Sequence, residues 1–162
     1  MNYCSTCGAN VGLQVPPGDN RPRHVCHNCH TIHYVNPRMV VGTVCLGKDG
    51  VLLCRRGIEP RLGYWTVPAG FLELGETTEA GAIRETYEEA VATVAIDQLI
   101  GIYSVPQLSQ VHIFYLAHLL SPVFRAGEET LEAAMVRYED IPWDSIAFPS
   151  VTWALQESKR SF

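Results

Sequence analysis

The sequence predicts an α/β fold with a small separate unit at its N-terminus. Three observations carry this. Short β-branched, apolar runs recur from Arg38 onward, as in buried strands. The stretch Gly70–Ala92 interrupts them with apolar residues at helical spacing. Before Pro37, two Cys-x-x-Cys pairs sit in a segment so rich in Gly, Pro and polar residues that it needs a staple to fold.

With 162 residues the chain can bury a sizeable core. No apolar run approaches membrane-spanning length, so no membrane partner is expected. MNYCSTCGAN lacks a basic region followed by an apolar core, which points to the cytoplasm. A net charge of −5 argues against a nucleic-acid partner held by general attraction. It leaves room for a small anionic ligand held by a local cation.

Cys4, Cys7, Cys26 and Cys29 form the two pairs, and residues 8–25 separate them. This spacing reads as a tetrahedral Zn²⁺ site. Disulfides are the competing account, and they fit poorly without a secretion signal. The ribbon reads as a structural cap, with a substrate or nucleic-acid contact as the alternative. His24, His27, His30 and His33 read as solvated or loop residues, since four thiolates already complete the site. Pro37 forces Asn36 into an extended conformation and marks a boundary, dividing residues 1–36 from 37–162.

Arg38–Leu46 is a buried strand, Lys48–Gly50 a turn and Val51–Cys54 the return strand. Cys45 and Cys54, without partners, read as reduced core residues. Arg55 and Arg56 close the second strand as candidate phosphate contacts or as solvent-facing strand ends. Tyr64–Pro68 is a short strand leading to Ala69 and Gly70. Thr77 or Thr78 suits a helix N-cap, with Glu79 in the first turn. Leu99–Val105, Val111–Leu120 and Leu131–Tyr138 are further strands, and Ser150–Lys159 is a final helix. Gln107 lies in the loop Pro106–Gln110, a candidate substrate contact.

On the central helix, Glu85, Glu88 and Glu89 share one face, because positions three and four apart are neighbours. Ala80, Ile83, Tyr87, Ala90 and Val91 fall on the opposite face, which is expected to dock on the core. Gly81 is expected to leave the acidic face uncrowded. Like charges at this spacing destabilise a helix. A hard divalent cation relieves them, and oxygen-only ligands suit Mg²⁺ or Mn²⁺. The bland alternative is a solvated acidic face with Arg84 paired to Glu88.

Gly70, Glu76, Arg84, Glu85, Glu88 and Glu89 stand in the pattern G-x5-E-x7-R-E-x2-E-E. This resembles the Nudix box, the signature of hydrolases that cleave nucleoside diphosphates linked to another moiety. Val91 stands where the family pattern has glycine, and Thr86 and Ala92 fill hydrophobic positions. LEAAMVRYEDIP, from Leu131, resembles the family's downstream strand and turn. The ribbon, YVNPRMVVG and WTVPAGFLELGE resemble a plant plastid branch that splits FAD and ADP-ribose. NADH pyrophosphatases also carry a ribbon, but SVPQLSQ, from Ser104, lacks the aromatics of their SQPWPFPxS stretch.

The resemblance implies a Nudix fold, a mixed sheet sandwiched between helices. It implies cation binding by Glu85, Glu88, Glu89, the Ala69 carbonyl and Glu132. Arg84, paired with Glu76, would orient the glutamates. Glu89 or Glu85 would accept a proton from water, with Glu128 and Glu129 as alternatives. The implied activity is hydrolysis of a small nucleotide such as FAD or ADP-ribose, releasing AMP. NADH cleavage and housecleaning of nucleoside triphosphates are alternatives, as is a nucleotide-sensing binding module with a degenerate box. The family also includes homodimers.

Overall fold

The computed structural model describes residues 1–161. The chain packs as two compact units, Met1–Asn36 and Pro37–Phe162.

In the first unit, β1 (Val11–Gln14), β2 (Arg23–Cys26) and β3 (Ile32–His33) form an antiparallel sheet in that order. The two cysteine knuckles flank it. Cys4 and Cys26 are buried, whereas Cys7 and Cys29 are exposed.

The second unit is a seven-stranded mixed sheet between two helices. Its strands are β4 (Arg38–Gly47), β5 (Gly50–Arg56), β6 (Trp65–Thr66), β7 (Ala69–Phe71), β8 (Val94–Val105), β9 (Gln110–Leu119) and β10 (Thr130–Val136). The main order is β10-β5-β4-β9-β8, with β6 on β5 and β7 on β4. The β4–β9 pair is parallel and the others are antiparallel. β8 begins earlier than the sequence suggests, at Val94. Register shifts at Ile96–Gln98 and Leu99–Gly101 break the alternation that would have marked its first half. β7 is a strand the sequence reading does not separate, since it takes Tyr64–Pro68 as the strand leading to Ala69 and Gly70.

Strand alternation sends successive side chains to opposite faces. Val41, Cys45, Leu52, Cys54 and Ala117 meet α1 (Thr78–Ala90) through Ala82 and Ala90. Val44, Val51, Leu53 and Phe114 meet α2 (Pro149–Ser158) through Val151, Ala154 and Leu155. Cys45 and Cys54 are fully buried among apolar neighbours, and burial pushes the Cys45 thiol up to about 12. Both belong to the core, as expected. Among the described residues, no helix is long and apolar enough to cross a membrane.

Thr77 caps α1, its hydroxyl accepting from the Ala80 N–H at 3.1 Å. The docking face differs from the one the apolar pattern suggests. Gly81, Ala82, Glu85, Thr86 and Ala90 are buried, whereas Ile83 and Tyr87 are exposed. Small residues bring the helix close to the sheet. At Thr86 the hydroxyl donates to the Ala82 carbonyl and meets the Thr43 hydroxyl, each at 2.7 Å. That pair satisfies two polar groups in a fully buried position. Nor does Gly81 open free space: a Cβ there would lie 2.8 Å from Leu72 Cδ1 and 3.0 Å from Val41 Cγ2.

Val91 ends α1 in the left-handed region, φ 45° and ψ 35°, its N–H donating to the Tyr87 carbonyl. Glycine suits this position, and a β-branched residue there is strained by roughly 1–2 kcal/mol. Val91→Gly should therefore stabilise the fold by about 0.5–1 kcal/mol, the relief exceeding glycine's unfolded-state entropy. Turnover should stay within about tenfold, or about 1.4 kcal/mol. Urea unfolding checks the first point; a lower midpoint for the variant would show that valine packing outweighs the strain.

Candidate functional site

The site is built where β7 meets the inner face of α1. Its entrance residue, Gly70, pairs with Val41 in β4. A Cβ on Gly70 would collide with the Glu85 carboxylate, so only glycine lets that carboxylate lie against the strand. Next to it, the Ala69 N–H donates to Glu89 Oε2 at 3.3 Å.

Arg84 organises the rest. Its Nε donates to Glu76 Oε1 at 2.6 Å and its Nη2 to Glu76 Oε2 at 3.0 Å, a bidentate pair. Nη1 reaches Glu85 Oε1 at 2.8 Å and Glu88 Oε2 at 3.0 Å, and Nη2 also donates to the Phe71 carbonyl. One guanidinium thus ties the loop before α1 to two of its glutamates. The Arg84–Glu76 pairing expected from the box is present, and so is the Arg84–Glu88 pairing of the bland alternative.

Glu89 stands apart from this network. Among the described residues, no cationic side chain forms a salt bridge with it, and the Ala69 N–H is its hydrogen-bond donor. Burial pushes its carboxyl up to about 7, the Ala69 hydrogen bond opposing and the Glu85 charge adding. Burial also raises Glu85, against the pull of Arg84. Two carboxylates are therefore sunk into the protein with less compensating charge than they carry. The acidic face is not a solvated one: only Glu88 is exposed. Oxygen donors with an unbalanced negative charge fit a hard divalent cation.

The backbone under Glu89 is equally constrained. Cys54 Sγ lies 3.8 Å from the Glu89 carbonyl oxygen, to which Gly127 N–H also donates at 2.9 Å. Arg125 N–H donates to the Ala90 carbonyl at 2.9 Å. A loop far away in sequence thus caps the carbonyls of the last turn. Any side chain at Gly127 would strike the Glu88 carbonyl.

Other sequence candidates lie elsewhere. Glu132 follows an irregularity in β10 and pairs in register with Arg55, its Oε2 3.9 Å from Arg55 Nη1. Arg55 Nε donates to the Gly63 carbonyl at 3.0 Å. Arg56 Nε donates to the Pro60 carbonyl at 2.8 Å, and its guanidinium lies 5.1 Å over the Phe148 ring. Gln107 is exposed in the 3-10 turn Pro106–Leu108, at the tip joining β8 to β9. Among the described residues, no three carboxylates bring ligand atoms within 4.8 Å of one another, whereas the four cysteine sulfurs do.

Cys4 and Cys29 Sγ are 3.6 Å apart, and Cys7 and Cys26 Sγ 3.4 Å. A disulfide needs about 2.05 Å, whereas sulfurs 2.3 Å from a tetrahedral centre lie about 3.8 Å apart. The arrangement fits a tetrahedral metal. N–H groups of Thr6, Asn28 and Cys29 point at Cys4 or Cys26 sulfur. Burial pushes the Cys4 thiol up, but hydrogen bonds from Thr6, Cys7, His33 and Cys29 outweigh it and bring it to about 5. His33, which reads as a loop residue, in fact sits with Nε2 3.2 Å from Cys4 Sγ.

Family comparison agrees with this architecture. Residues 36–154 match the NUDIX domain model, and residues 2–35 match the zinc-ribbon model described as Nudix N-terminal. The chain belongs to the Nudix hydrolase family. A Nudix hydrolase from Nitrosomonas europaea superposes with a TM-score of 0.95 at 45% identity, covering 99% of this chain and 93% of that one. An ADP-ribose pyrophosphatase of Methanocaldococcus jannaschii is 27% identical over 67% of each chain. An NAD-capped RNA hydrolase, NudC, of Photorhabdus laumondii is 28% identical over 86% of this chain but only 53% of its own length. The chain thus spans about half of that relative. In Nudix terms, the box residues Gly70, Glu76, Arg84, Glu85, Glu88 and Glu89 all surround the junction of β7 and α1.

The raised Glu89 carboxyl makes stability depend on pH. Folding favours its protonated form, so between about pH 4.5 and 7 the folded chain holds a proton that the unfolded chain has released. Stability of the metal-free protein should fall across that window as pH rises, by on the order of 2 kcal/mol. Glu89→Gln should flatten the curve. Urea unfolding at pH 5 and pH 8 tests this, and parallel curves for the two proteins would reject it.

Proposed function

We propose that this chain hydrolyses the pyrophosphate bond of a small nucleoside diphosphate derivative, with FAD and ADP-ribose as its foremost substrates and AMP as a product. The observation that carries the reading is a pair of desolvated carboxylates, buried Glu85 and half-buried Glu89, set against Gly70 and the Ala69 N–H. A nucleotide-sensing module has no use for so unfavourable a burial.

Glu85, Glu88 and Glu89 would hold Mg²⁺ or Mn²⁺, with the Ala69 carbonyl and Glu132 as further ligands. When bound, such cations neutralise the pyrophosphate and lower the pKa of water. The chain's own part is positional. Arg84 holds Glu85 and Glu88 in fixed rotamers and is itself anchored by Glu76. Glu89, fixed on the Ala69 N–H beside the other glutamates, is the carboxylate placed to take the proton from water. In the overall reaction, water adds to one phosphorus, the bridging P–O bond breaks, and the second phosphate leaves with the bridging oxygen.

A second reading is NADH pyrophosphatase chemistry. It is favoured by the NAD-capped RNA hydrolase relative, whose similarity runs over 86% of this chain. SVPQLSQ, without the aromatics of that branch, weighs for FAD and ADP-ribose. The ribbon would carry Zn²⁺ on Cys4, Cys7, Cys26 and Cys29. Four thiolates and two unpaired core thiols suit a reducing compartment such as the cytoplasm.

Purified protein should contain about one tightly held zinc per chain. Elemental analysis measures it; absent zinc, with disulfides by mass spectrometry, would reject the site. Glu89→Gln should lower kcat on FAD and ADP-ribose at saturating Mg²⁺ by a hundredfold or more, at least about 2.7 kcal/mol. Its melting temperature should be no lower than wild type, because the variant removes a buried charge. Wild-type turnover in this variant would leave Glu89 without a catalytic role.

A further inference from the structure

The four-cysteine centre has a second layer of contacts beyond its sulfurs. The Thr6 N–H points at Cys4 Sγ at 3.3 Å, and the Asn28 and Cys29 N–H groups point at Cys26 Sγ at 3.4 Å each. The Thr31 hydroxyl lies 3.1 Å from Cys29 Sγ, and Asn28 Nδ2 lies 3.8 Å from Cys7 Sγ. His33 adds an imidazole, its Nε2 3.2 Å from Cys4 Sγ. It reaches that sulfur from β3, so it ties the strand after the second knuckle to a cysteine of the first.

We propose that His33 is a positioning residue of the zinc site, its Nε2–H donating to the Cys4 thiolate and holding that ligand on the metal. The inference rests on the zinc reading of Cys4, Cys7, Cys26 and Cys29 and adds the side chain that secures it. Four thiolates more than neutralise Zn²⁺, so the loaded centre keeps a net negative charge. N–H groups aimed at the sulfurs draw off that charge. Such surrounding donors orient the ligands and set metal affinity. A thiolate carries no hydrogen, which assigns the shared one to Nε2. Cys4 is only 4% exposed, so water has little access to the sulfur that His33 serves.

The geometry separates this role from direct ligation. The four sulfurs lie within 4.8 Å of one another, a set to which His33 does not belong. They fill a tetrahedral site by themselves. His24 stands directly opposite His33 in the β2–β3 pair, yet among the described residues His33 is the imidazole that meets a sulfur. The contact matters for the whole unit Met1–Asn36. A unit this small cannot rely on a hydrophobic core, so what holds the metal also holds the fold.

The test follows metal binding in the full-length protein. Zinc transfer to excess 4-(2-pyridylazo)resorcinol gives the release rate. His33→Ala and His33→Phe, which lack the N–H, should release zinc on the order of ten- to a hundredfold faster than wild type. His33→Gln, whose amide supplies an N–H, should recover most of the difference, and His24→Ala should behave as wild type. Loading with Co²⁺ in place of zinc adds a readout that packing alone does not move. The thiolate-to-metal charge-transfer band should shift to longer wavelength in the Ala and Phe variants and stay in place in the Gln variant. Thermal melting with excess zinc checks the fold; should the Ala variant not fold, the Phe and Gln pair decides. Wild-type release and spectra in the Phe variant would overturn the proposal, as would a Co²⁺ spectrum of three sulfurs and one nitrogen in wild type. If wild type takes up neither metal, the zinc reading falls and this inference with it. If wild type binds both and the His33 variants match it, the inference alone falls.

Discussion

Withdrawing the carboxylates of Glu85 and, in part, Glu89 from water against β7 is the constraint on which the second unit is arranged. Neither position is favourable by itself, since desolvation penalises a charged carboxylate strongly. The surroundings are shaped to make it tolerable. Gly70 surrenders its side chain so that Glu85 fits, Ala69 offers an N–H to Glu89, and Arg84 neutralises Glu85 while anchored on Glu76. The helix lies close to the sheet because Gly81, Ala82 and Ala90 are small, and that closeness is what submerges the glutamates. Core packing and site electrostatics are therefore one problem here. A bulkier helix face would lift Glu85 and Glu89 into water and relax the carboxyl of Glu89 toward its ordinary value.

The same constraint explains the care taken at the end of α1. Glu88, Glu89 and Ala90 lie in the last turn, where carbonyls lack intrahelical partners. Fraying there would release the glutamates. The loop containing Arg125 and Gly127 prevents it by donating to the Glu89 and Ala90 carbonyls, and Cys54 approaches Glu89 from the sheet. This dense capping also shows why Val91 can occupy a left-handed position: contacts on either side over-determine the turn.

Much of this was legible in the sequence, and the failures have physical causes. Strands β4, β5 and β9 and both helices announce themselves through apolar patterning, because each is buried on at least one face. The charged skeleton of the box is legible because its spacing is fixed. The orientation of α1 is not. Ile83 and Tyr87 look like core residues by hydrophobicity, yet the helix docks through Gly, Ala and a buried threonine pair, and large apolar side chains are left outside. Gly81 misleads similarly, since a missing side chain reads as open space but here permits contact with Leu72. His33 lies beside Cys4 only because β2–β3 pairing brings it there, twenty-nine residues along the chain. The capping by residues 125–127 is a long-range backbone event that leaves no side-chain pattern. A glycine at 127 is its sole trace.

The two faces of the sheet divide the work on the proposed reading. The α1 face holds the chemistry, which demands fixed charge and buried oxygens. Its sequence is therefore constrained residue by residue. The α2 face is given over to packing: Phe148 lies on the Val44–Leu155 core and Trp153 against Tyr103. Packing of that kind tolerates many apolar side chains and leaves no fixed spacing, which is why the charged pattern of the α1 face is visible in the bare sequence and the contacts of the α2 face are not. Strands β5 to β7 connect the two, since Cys54 and Ala69 touch Glu89 while Arg56 lies over the Phe148 ring. Substitutions in the α2 core can then repack without disturbing the carboxylates, whereas a change at Gly70 or Arg84 acts on Glu85 directly.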